Sequence, residues 1–258
     1  MSTNNQQPAT KYQLFHHIDF LSVFWLLDPH IISGAITHVH LSYKAIWSEQ
    51  WRSRQFRVEL FITLILTVAA LATLATFLNW VETRPGVVFV DPILALFSPV
   101  DLTWLTFGLI YVGLISGIVF LSRHPRALLI ALQSYVLMVI MRIAAMYVLP
   151  LAPPPTAIPL QDPTVQYFGT GKLLTKDLFF SGHTSTMFLL FLTARGKALR
   201  TVFLVCTIAV GIAVLVQHVH WTVDVLVAPF VAYTCFRVVT LLAHRRWSGD
   251  ASASSADH

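Results

Sequence analysis

The chain has 258 residues, 56 % of them hydrophobic and only 11 % charged. So apolar a composition excludes an ordinary soluble domain and makes the bilayer the solvent. The formal net charge of +5 does not indicate nucleic acid, because the basic residues flank apolar segments and form no patch interleaved with aromatics, a pattern that belongs to membrane orientation.

In chain order, residues 1–10 are polar and lack the basic start and apolar run of a cleavable signal. The first spanning segment is therefore expected to direct insertion. Residues 18–27 are apolar and 31–47 mixed, with Trp25, Trp47 and Trp51 nearby. Aromatics of this kind favour the headgroup layer. One or two interfacial helices on the cytoplasmic face are expected here, with a shallow seventh insertion as the alternative. Six apolar runs bounded by charge or proline follow, at about 58–79, 102–121, 127–149, 178–194, 199–217 and 221–243, each near the roughly 20 residues a spanning helix needs. The expected architecture is an all-α, polytopic six-helix transmembrane bundle (58–243) between an N-terminal interfacial segment (1–57) and a disordered tail (244–258). Cys206 and Cys235 fall inside spans, where a thiol acts as a small buried hydrophobe. The proline-rich stretch 150–176 is expected to form an ordered rim or lid.

Loop charge orients this bundle. Lys44, Arg52, Arg54, Arg57, Arg123, Arg126, Arg195, Lys197, Arg200, Arg245 and Arg246 fall on one side, and only Arg84, Lys172 and Lys176 on the other. Basic loops stay in the cytoplasm. Both termini are thus expected to be cytoplasmic, with the first, third and fifth loops extracytoplasmic.

Polar residues at the extracytoplasmic ends of the spans carry the chemistry. His220 and Asp224 are four apart at the start of the last span, a spacing that shares one helix face. The carboxylate can fix one ring nitrogen and leave the other free to attack phosphorus. Ionisable groups inside a membrane are costly, which favours a functional reading. His183 opens the fourth span among Ser181, Gly182 and Thr184, residues that at a helix N-terminus suit a bound phosphate. His183 itself can serve as acid and base. Arg142 lies in the third span and either binds phosphate or pairs with a carboxylate. Asp162 and Asp177 either meet a cationic headgroup or are solvated. His218 is expected at the rim. His38 and His40 lack accompanying metal ligands, and no metal or other cofactor is expected.

The stretch Asp177, Leu178, Phe179, Phe180, Ser181, Gly182, His183, Thr184, with His220, Trp221, Thr222, Val223, Asp224, Val225, resembles the sphingomyelin synthase family within the lipid phosphate phosphatase superfamily. Arg142 to Val148 with Pro150 and Pro153 is similar to that family's arginine and proline motif, with Ala145 in place of a threonine. The resemblance implies headgroup transfer by double displacement from a glycerophospholipid to a lipid alcohol such as ceramide. His220 would be the nucleophile and His183 the acid and base, and diacylglycerol would leave. Two other functions compete. A lipid phosphatase would use the same histidine, but its branch has a Lys seven residues before an Arg-Pro pair and an Arg six before the second histidine, where this chain has Phe77 and Val214. A non-catalytic lipid carrier would place its polar residues near the bilayer midplane.

Overall fold

The computed structural model describes residues 43–160 and 174–254, with side chains as far as Trp247. The segment 18–27, His38, His40, Asp162 and Lys172 lie outside the described residues.

Seven α-helices occur among the described residues: α1 (Tyr43–Arg52), α2 (Arg54–Thr83), α3 (Thr103–Leu121), α4 (Pro125–Val148), α5 (Gly182–Thr193), α6 (Lys197–Val216) and α7 (Thr222–Ser254). Their starts follow local chemistry. Ser53 accepts the Phe56 N–H at the head of α2, Asp101 accepts that of Thr103 at the head of α3, and Pro125 opens α4, where its missing N–H costs nothing. Gly196 adopts φ 87° between α5 and α6, a backbone conformation that a Cβ disfavours. The last helix continues to Ser254, past the position at which the small polar residues predict an irregular tail.

Helices α2, α3, α4, α6 and residues 222–247 of α7 are long and apolar enough to cross a membrane. Their exposed faces carry Phe61, Ile65, Val68, Val112, Ile115 and Phe230, as expected where lipid replaces water. The most apolar 18 residues of α2 are only 11 % buried and those of α4 44 %, so α4 is central and α2 peripheral.

The fourth expected span differs. Residues 178–181 are not helical, and α5 has 12 residues, about 18 Å at 1.5 Å per residue against a hydrocarbon core of about 30 Å. Ser181 ends the helix early because its hydroxyl takes a backbone N–H as cap. The short helix is packed by α3, α4, α6 and α7, and Met187, Leu189, Leu190, Phe191 and Leu192 are all buried. Non-helical backbone at this depth is tolerable because protein rather than lipid surrounds it.

Bonds between connecting segments sort the loops to two ends. At one end the Trp47 indole N–H donates to the Ser122 carbonyl at 2.7 Å, Arg126 Nε to Gln50 Oε1 at 2.7 Å, and Arg246 lies 3.6 Å from Glu59. At the other end Val87 pairs with Leu151, the Val100 N–H donates to Val216 and the Ile158 N–H to Gln217, and the Trp221 indole N–H donates to Ala152. Three loops, 84–102, 149–160 and 217–221, thus meet at the end poor in Lys and Arg, and the described part of the proline-rich stretch is an ordered rim there.

Candidate active site

The loop 217–221 is fixed along its length. Gln217 is fully buried; its amide donates to the Thr103 hydroxyl and the Ile158 carbonyl and its oxygen accepts the Leu102 N–H. His218 turns the chain with φ 55°. His218 sits among the rim loops but is buried in them: it is 2 % exposed, with Nδ1 2.6 Å from the Thr156 hydroxyl and its ring edge-to-face with Phe97. Burial lowers its pKa and nearby Asp91 opposes that shift.

His220 and Asp224 meet, though not on one helix face. His220 precedes α7, and Asp224 sits in the first turn with its carboxylate turned back over the helix start. Its Oδ2 accepts the Trp221 N–H at 3.1 Å and lies 3.4 Å from His220 Nδ1. The pair therefore arises from a capping geometry, in which an acid in the first turn satisfies an otherwise unpartnered N–H. Both residues are buried, His220 to 4 % and Asp224 to 0 % exposure. With the proton on Nδ1 the ring donates to Asp224, and Nε2 is the nitrogen left with a lone pair.

His183 is in the first turn of α5, with the edge of its ring toward Phe107. Of the residues expected to bind phosphate beside it, Ser181 and Thr184 bond to each other. Ser181 Oγ accepts the Thr184 N–H at 3.4 Å and lies 3.0 Å from the Thr184 hydroxyl. Both are buried, so their side chains shape the helix start. The Ser181 N–H donates to the Asp224 carbonyl at 3.1 Å, which joins the segment carrying His183 to the one carrying His220.

Arg142 takes the second of its two alternatives and pairs with a carboxylate. Its Nη2 and Nε contact Asp177 Oδ1 at 2.6 and 3.2 Å, Nη2 also reaches the Asp177 carbonyl at 3.3 Å, and Nη1 donates to the Phe180 carbonyl. Asp177 is thus an ion-pair partner rather than a solvated carboxylate. Burial raises its pKa, but Arg142 and the charges of His220 and His183 outweigh burial and hold it below 3.8. Both histidines therefore act on one carboxylate. Gly182 makes the approach possible, since a Cβ there would stand 2.5 Å from Arg142 Nη1.

Residues 176–241 match the family model described as PAP2 superfamily C-terminal. This stretch of about a quarter of the chain is similar to that superfamily's C-terminal region and holds Asp177, the cap of α5, His183, His220 and Asp224. No curated protein matches the chain.

Two acids supporting the site go unread in the sequence. Glu82, at the end of α2, accepts the N–H groups of Thr175 and Lys176 at 2.5 and 2.6 Å, anchoring the approach to Asp177. Asp91 accepts the Thr222 N–H at 2.7 Å and its hydroxyl at 3.0 Å. Neither lies in a motif. The one available signal is an acid next to Pro92 within the otherwise apolar run 87–97.

Proposed function

We propose that the chain is a membrane enzyme that transfers the phosphate-bearing headgroup of a glycerophospholipid, phosphocholine or a close analogue, to a lipid alcohol such as ceramide. The observation that carries this reading is the buried His220–Asp224 contact in a segment bonded through Ser181 to the one bearing His183. His220 Nε2 attacks phosphorus, and the bond to the diacylglycerol oxygen breaks as His183 gives that oxygen a proton. The acceptor hydroxyl, deprotonated by His183, then displaces His220 and takes the headgroup. Asp224 orients the ring and stabilises its positive charge. Similarity to the PAP2 superfamily supports phosphatase or phosphotransferase chemistry on a lipid phosphate. The end poor in Lys and Arg is read as the extracytoplasmic face on the loop-charge argument.

Arg142 favours a diester over a monoester. Four hydrogen bonds commit it to Asp177 and the Phe180 carbonyl, and a phosphomonoester, with its greater charge, needs more cationic clamping than a diester. The test supplies purified protein with fluorescent ceramide and phosphatidylcholine, phosphatidylethanolamine or phosphatidylinositol while free phosphate is followed. A fluorescent phospholipid product with equimolar diacylglycerol is expected. Phosphate release from a monoester without lipid product would establish the hydrolase instead, and lipid movement without any covalent product, unchanged in His220→Ala, would indicate a carrier.

A further inference from the structure

Asp91 lies 131 residues from the helix it serves. It is 7 % exposed, and its Oδ1 also accepts the N–H groups of Ile93 and Leu94 at 3.0 and 3.3 Å. Those bonds fix the 3-10 turn Leu94–Leu96 and with it the carboxylate. Helix α7 needs such a partner. Its cap position is Trp221, whose side chain has a donor and no acceptor, and that donor is bonded to Ala152. The first N–H groups of a helix have no acceptor within it. Asp224 accepts that of Trp221 and Asp91 that of Thr222, so the helix start is satisfied by two acids, one in its own first turn and one 131 residues away.

The arrangement bears on the nucleophile. The Asp224 oxygen that accepts the Trp221 N–H also faces His220 at 3.4 Å, a long separation for a hydrogen bond. A displaced first turn of α7 would lose the contact to the ring first. We propose that Asp91 is a positioning residue for phosphoryl transfer, holding the first turn of α7 where Asp224 orients His220. This rests on the reading of His220 as nucleophile.

The test measures the pH profile of His220 modification by diethyl pyrocarbonate, read by peptide mass spectrometry on the full chain in phosphatidylcholine nanodiscs, alongside turnover. The other titratable or charged groups of the site, His183, His218, Asp177 and Arg142, are common to all variants compared. Asp224→Asn sets the profile of a ring without its orienter. Asp91→Ala is expected to move the profile toward that of Asp224→Asn and to lower kcat about tenfold with KM unchanged, the signature of an interaction made in the transition state. Asp91→Asn keeps one acceptor oxygen and is expected to shift less. Asp101→Asn, which alters the cap of α3, is expected to match wild type. If Asp91→Ala does not fold, Asp91→Asn and Thr222→Val carry the comparison. Profiles coinciding with wild type, or equal shifts in Asp91→Asn and Asp91→Ala that make the effect one of charge, would overturn the proposal. A shifted profile in a protein that transfers no headgroup would overturn the functional reading instead.

Discussion

The Ser181 N–H donates to the Asp224 carbonyl at 3.1 Å, and this bond makes the start of α5 and the start of α7 one unit. The two histidines lie on either side of it, His183 two residues after Ser181 and His220 four before Asp224. Their relative placement is therefore set by backbone, which side-chain substitution perturbs little.

That separation of roles predicts distinct kinetics. His220→Ala is expected to abolish transfer, and Asp224→Asn to lower kcat by about 10²–10⁴ with KM little changed, because it leaves the ring in place but misdirects its proton. His183→Ala is expected to lower kcat by about 10²–10⁴, the range of general acid and base catalysis. Turnover and phosphohistidine formation from radiolabelled donor check all three. Phosphohistidine in His220→Ala would assign the nucleophile elsewhere.

Gly182→Ala places a methyl 2.5 Å from Arg142 Nη1. The guanidinium is held by Asp177 and Phe180, so the collision is not relieved by a swing of a free side chain. A destabilisation of about 1–3 kcal/mol is expected, as for overpacking in a filled core, with activity lost further than stability. Thermal unfolding in detergent and turnover measured together check this. A variant with wild-type values in both would show that Arg142 yields.

Acid sensitivity follows from Asp177 and Asp91. Burial raises the pKa of each, but Arg142 and the histidines for Asp177, and the bonds from Thr222, Leu94 and Ile93 for Asp91, hold both below 3.8. A carboxyl lowered by folding contributes stability that is complete above its unfolded pKa, about 3.9, and is lost as pH falls through the folded value. Unfolding midpoints are thus expected to be insensitive to these acids from neutrality to about pH 5 and to fall below about pH 4. Asp177→Asn and Asp91→Asn should flatten the acid limb, and an unchanged limb would remove both from its cause.

Orientation is tested at Val90, which is 89 % exposed in the loop that carries Asp91. In intact cells or sealed vesicles of known sidedness, Val90→Cys is expected to react with an impermeant maleimide from the extracytoplasmic side alone. Labelling only after permeabilisation would place the histidines in the cytoplasm.

Helix boundaries were legible where composition acts alone. The runs 102–121, 127–149 and 199–217 lie within two residues of α3, α4 and α6, because apolar length and flanking charge determine them. The fourth segment is shorter than its apolar run because Leu178 and Phe180 continue that run although their backbone, ahead of the Ser181 cap, is not helical. The spacing of His220 and Asp224 identified the pair but assigned it the wrong geometry, since Asp224 serves as a cap at the helix start. The partnership of Arg142 with Asp177 stood among open alternatives, and Asp91 and Glu82 went unseen. Their contacts span 35 to 131 residues, a separation over which no periodicity carries information.

The brevity of α5 makes it a gauge of length. Its far end is fixed by the Gly196 turn into α6, and its near end presents His183. Inserting one residue would carry that imidazole about 1.5 Å along the axis and turn it by about 100°, and inserting four would return it to nearly the same face about 6 Å displaced. Neither change alters composition or charge pattern, yet each would move His183 relative to the turn at Gly196. The number of residues between Ser181 and Gly196 is thus as much a part of the candidate site as the histidines themselves.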